Sequence, residues 1–60
     1  MQKVVRITID IDEADNWIVA WSRADGVEQE YDSGEGMEAL AAVVAHPNFT
    51  AMVGAVRRSL

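Results

Sequence analysis

The chain has 60 residues, half of them apolar, and carries a formal net charge of −5 with no cysteine and one histidine. This composition suits one small folded domain and excludes disulfides, thiolate metal sites and multi-histidine metal centres. At this size the core is thin, with a net stability of about 3–5 kcal/mol, so burying more surface in a partner or a second copy would help. No apolar run reaches a membrane span and no signal-peptide pattern opens the chain, which sets a cytoplasmic expectation with no membrane partner.

The charge is concentrated. Residues 10–38 hold all ten acids and only one base, Arg23, leaving that segment nine charges negative; Lys3, Arg6, Arg57 and Arg58 lie outside it. Such a field repels nucleic acid and favours a basic protein partner.

In residues 4–12, Val5, Ile7, Ile9 and Ile11 alternate with Arg6, Thr8, Asp10 and Asp12. A period of two with β-branched residues predicts a strand with one buried face. Glu13-Ala14-Asp15-Asn16 is a polar turn, and a second strand follows at 17–23, with apolar groups on both faces: Trp17, Val19 and Trp21 on one, Ile18 and Ala20 on the other. That second apolar set calls for a covering partner or subunit.

The next turn sets a register. A two-residue Asp25-Gly26 loop would pair Ala24 with Val27 and put Trp21 on the face of Glu28 and Glu30. A three-residue Ala24-Asp25-Gly26 loop, with Gly26 in the left-handed conformation, pairs Arg23 with Val27. It groups Trp17, Val19 and Trp21 with Val27, Gln29 and Tyr31, and leaves Glu28, Glu30 and Asp32 as one acidic row opposite. Because a one-residue slip inverts every side chain, the apolar grouping selects the three-residue loop.

Asp32-Ser33-Gly34-Glu35-Gly36 reads as a loop, with Ser33 or Asp32 as helix cap. Met37, Leu40, Ala41 and Val44 then recur at helical spacing, predicting a helix over 35–45 that ends at His46-Pro47. His46, at that end, is expected to meet the last carbonyls of the helix. Phe49, Met52, Val53, Val56 and Leu60 predict a second helix over 48–58. The expected fold is α+β, a single domain over 1–60: a three-stranded antiparallel meander followed by two short helices packed on one face, β-β-β-α-α.

Chemistry-bearing patterns are sparse. Asp10-Ile11-Asp12-Glu13-Ala14-Asp15 fails as a calcium loop, because Ala14, Asp15 and Trp21 stand at the fifth, sixth and twelfth positions. No serine has nucleophile context, and Gly34 and Gly36 lack the lysine of a phosphate loop. No catalytic residue, metal or cofactor is therefore expected. The candidate partner-binding residues are the acids Glu28, Glu30, Asp32, Glu35 and Glu38, and the aromatics Trp17, Trp21 and Tyr31. The aromatics serve either as the surface on which the helices pack or as exposed anchors.

Residues 4–45 resemble the partial double-stranded-RNA-binding fold of HicB-type antitoxins. The matching pieces are Ile7–Asp12, Asp15-Asn16-Trp17-Ile18-Val19-Ala20, and the helix start Gly34-Glu35-Gly36-Met37-Glu38-Ala39-Leu40. Arg23-Ala24-Asp25-Gly26 replaces the family's proline-rich segment, and no separate DNA-binding domain follows. The resemblance implies toxin neutralisation. In size and charge the chain also looks like phage-encoded inhibitors of host defence such as anti-CRISPR proteins, a class that shares no motif. The leading expectation is a small acidic inhibitor that masks a basic nucleic-acid-binding surface of a protein. The alternatives are a HicB-like antitoxin and a homodimeric assembly protein joined through its sheet edge or second helix.

Overall fold

A computed structural model describes residues 2–60 as an antiparallel sheet in the order β1-β2-β3 followed by two helices. The elements are β1 (Arg6–Ile11), β2 (Asn16–Ser22), β3 (Glu28–Glu35), α1 (Met37–Ala45) and α2 (Pro47–Arg58). This is the expected α+β meander with two following helices, and its extents of 37 × 24 × 15 Å leave room for two layers.

β1 and β2 pair without irregularity, from Arg6 opposite Ser22 to Ile11 opposite Trp17. Their turn is organised by Asp12, whose Oδ1 accepts from the backbone N–H groups of Ala14 and Asn16, both at 2.9 Å. Asp15 takes a positive φ of 63° in that turn, a conformation that aspartate tolerates better than most residues. The second turn is the three-residue one: Gly26 has φ +86° and its N–H donates to the Arg23 carbonyl at 2.9 Å.

The β2–β3 ladder begins in the expected register, Ser22 opposite Glu28 and Trp21 opposite Gln29. It then shifts at a bulge between Val19 and Ala20, so that Ala20 faces Glu30 but Val19 faces Asp32, with Tyr31 as the extra residue. The two central residues of such a bulge lean to the same side, which turns both Tyr31 and Asp32 toward the face of Val19. Pairing then continues to Glu35, so Asp32–Glu35 is strand where the sequence reads as loop. The polar composition suggests a loop there, but the neighbouring β2 supplies ladder partners and overrides it.

Gly34 explains why the strand can run on. It lies opposite Trp17, and a Cβ placed on it would come within 2.7 Å of the indole Cζ2. The indole lies where a side chain would otherwise stand. Its Nε1–H donates to the Gly36 carbonyl at 3.0 Å. Gly36, at φ +93°, is the actual residue before α1, and neither Ser33 nor Asp32 caps that helix. The Gly36 N–H donates to the Asp15 carbonyl at 2.9 Å, tying the first turn to the start of α1.

α1 and α2 meet at a 62° bend at His46, and neither is by itself long and apolar enough to cross a membrane. His46 serves both helices: its backbone N–H donates to the Val43 carbonyl at 3.2 Å, closing α1, while its Nδ1 accepts from the Asn48 N–H at 3.0 Å and caps α2, where Pro47 takes the first helical position. A proline suits that place because its missing N–H would be unpaired anyway. Trp17, Val19 and Leu40 form the core, with Tyr31, Val43 and Phe49 packed around them. Tyr31 and Phe49 meet edge to face, with centroids 6.0 Å apart. The helices thus sit on the Trp17–Val19 face, and α1 lies against β3. Val56 is buried farther along α2.

Candidate functional site

The open side of the sheet follows from the register. Arg6, Thr8 and Asp10 come from β1, Ile18, Ala20 and Ser22 from β2, and Glu28, Glu30, Ser33 and Glu35 from β3. Ala20 and Ser22 are buried although none of the clustered core residues Trp17, Val19 and Leu40 lies on this face. Both are small and flanked by longer neighbours, Ala20 by Thr8 and Glu30, Ser22 by Arg6 and Glu28. The central strand is therefore the floor of a shallow trough. Ile18, 45% exposed, is what remains of the second apolar set of β2.

Four carboxylates, Asp10, Glu28, Glu30 and Glu35, line this trough against the one cation Arg6. All four are exposed. Asp10 was not among the predicted site residues. Its signal was present in the strict alternation of β1, which puts it on the side of Thr8.

The remaining candidates are dispersed. Asp32 leaves the acidic row because of the bulge, and instead lines an open cleft of about 310 Å³ with Tyr31, Ala42, Val43, His46 and Asn48. Its Oδ1 accepts from the Ser33 N–H at 2.8 Å. Glu38 stands in the first turn of α1, where the helix dipole favours an acid, on the helical layer rather than the open sheet. The single acidic surface expected from the sequence is thus split in three.

The aromatics share the helix side of the sheet, as the three-residue turn requires, but not one environment. Trp17 is 3% exposed and belongs to the core, so its surface is spent on Gly34 and the helices. Tyr31 is half-buried against Phe49. Trp21 is half-buried, with the Arg23 guanidinium 4.7 Å from its ring centroid. That stacking engages the one base of the acidic segment in a cation–π contact.

The cleft beside α1 brings a carboxylate, an imidazole and a phenol together. The His46 Nδ1 is engaged as the α2 cap, which leaves Nε2 as the ring nitrogen that carries the proton. No serine, threonine or cysteine lines the cleft. Among the described residues no group of three or more His, Cys, Asp or Glu is placed to hold a metal ion. Asp12 has its carboxyl held below the ordinary carboxylate value, chiefly by the Asn16 side-chain and backbone hydrogen bonds that organise the turn. Comparison with protein-family models, characterised proteins and solved structures finds no match for this chain, so its chemistry is read from its own residues.

Proposed function

We propose that the chain is a small acidic binding protein that inhibits a protein partner by occupying a basic, nucleic-acid-binding surface, in the manner of phage-encoded inhibitors of host defence. The observation that carries this reading is the open sheet face, where Asp10, Glu28, Glu30 and Glu35 stand exposed along a trough floored by Ala20 and Ser22. Carboxylates held on a sheet are preorganised in position, so a row of lysines or arginines meets them without first ordering a loop. Charge complementarity of this kind chiefly speeds encounter and excludes wrong partners, and salt screens it. The Asp32–His46 cleft has no part in the contact.

The test is capture of partners on the immobilised chain from a lysate of its native host, at about 50 mM and about 500 mM salt. Retained proteins should be basic and nucleic-acid-binding, and should be lost at high salt and with the pair Glu28→Lys and Glu30→Lys. Nucleic acid should compete for the same partner. Retention that ignores both salt and charge reversal would sink the electrostatic reading. Recovery of a toxin instead moves the assignment to an antitoxin.

A further inference from the structure

β1 is an edge strand, and its residues are chemically symmetric about Thr8. Outward from Thr8 stand Ile7 and Ile9, then Arg6 and Asp10 with opposite charges, then Val5 and Ile11. An antiparallel copy of the same strand, centred on Thr8, therefore places Arg6 opposite Asp10 of the second copy, and Asp10 opposite its Arg6. Ile7 then faces the second copy's Ile9, and Thr8 faces Thr8. We infer that β1 is a self-complementary edge, and that the protein forms a two-fold dimer through it with a continuous six-stranded sheet.

The backbone agrees with this register. Asp12 donates its N–H to the Asn16 carbonyl at 3.0 Å, toward β2. Peptide groups alternate sides along a strand, and β1 pairs without a bulge, so Arg6, Thr8 and Asp10 also turn their N–H and C=O groups toward β2. The groups of Ile7 and Ile9 point to the free edge, where the proposed pairing gives them each other as hydrogen-bonded partners. Side-chain burial supports the same surface. Ile9 is 42% and Ile11 50% exposed although both lie on the helix side, because α1 covers the opposite edge of the sheet. In the dimer both helical layers lie on one side of the sheet, and the two isoleucine rows adjoin between them.

This assignment is independent of the inhibitory role. It commits to a second copy as occupant because the antiparallel, Thr8-centred register matches charge and apolar pairs together, whereas a shift to Ile9 would set Arg6 against Asp12, whose carboxylate is engaged in its own turn. In an isologous interface each matched pair occurs twice.

Sedimentation of the full chain across concentrations should show monomer and dimer in exchange. Arg6→Asp alone and Asp10→Arg alone each set like charges opposite one another twice, and should raise the dimer Kd by about tenfold or more. Arg6→Asp combined with Asp10→Arg should restore it. Thr8 meets Thr8 in a non-hydrogen-bonded pair, with Cα atoms about 4.5 Å apart, within disulfide reach. Thr8→Cys should therefore cross-link under mild oxidation in a chain that has no other cysteine. Asp10→Cys should not, because the two copies of position 10 lie about 13 Å apart along the strands. A monomer at every concentration overturns the proposal. So does a dimer that ignores the single reversals, or one that cross-links through position 10 and not through Thr8. Should a charge variant lose its fold by circular dichroism, the cysteine pair decides alone.

Discussion

The two edges of this sheet are built in opposite ways. β3 presents Glu28, Glu30 and Glu35, and a bulge at Tyr31 breaks its ladder geometry. Charge and bulge are both devices that stop an edge from pairing with another chain. β1 has no bulge and no net charge: its helix-side row is Ile7, Ile9 and Ile11, and its two charged positions, Arg6 and Asp10, have opposite signs. In a chain with a net charge of −5, one edge thus carries two devices against self-association and the other carries opposite charges placed symmetrically about Thr8. The open trough between them carries its acids mainly on the β3 side, so a partner and a second copy would share only Asp10 among the acids.

Substitutions test this division in order of expected size. Trp17→Ala removes the largest core side chain and its hydrogen bond to Gly36, and should cost about 3–5 kcal/mol. That is the whole stability expected at this size, so the far-UV spectrum should be that of an unfolded chain. Gly34→Ala drives a Cβ into the Trp17 indole and should cost about 1–3 kcal/mol, read as a lower denaturant midpoint. A neutral result would mean that the β3 end is loosely held. Ile11→Thr, half-exposed on β1, should change stability by no more than about 1 kcal/mol while weakening dimerisation. Glu28→Thr with Glu30→Val should barely alter the monomer but open the β3 edge. Light scattering should then show species larger than a dimer, since a chain with two sticky edges does not close.

The smallest effect concerns Asp12. Its carboxyl titrates below the ordinary value in the folded chain, so its contribution to stability is present at neutral pH and is lost as the pH falls through that lowered value. Asp12→Ala should remove this part of the acid-side slope in a pH-dependent unfolding series. A slope identical to that of the wild type would show that the turn does not depend on the carboxylate.

Much of the fold was legible because its signals are local. Alternation from Val5 to Asp12, the left-handed glycine at position 26, and the break at His46-Pro47 each report backbone preferences of a few neighbouring residues. The extension of β3 was hidden for the same reason, since Asp32-Ser33-Gly34-Glu35 has loop chemistry and becomes strand only because β2 offers it ladder partners. The role of His46 was legible in part: its N–H meets the Val43 carbonyl at the end of α1 as expected, but its side chain turns the other way and caps α2. Among the site residues, Glu28 and Glu30 fall on the expected face and Glu35 returns to it. Asp32 does not, because the bulge shifts every later residue of β3 by one place.

The sequence by itself determined the meander, its turn chemistry, the two helices and the acidic character of the middle segment, all carried by periodicity and by residues with restricted backbones. Tertiary structure decided which acids share a surface, which aromatic is core, and which edge is left open. Those outcomes depend on a bulge and on where two helices come to rest. Both are set by the fit of Trp17 over Gly34 and of Leu40 against Val19, contacts between residues far apart in the chain.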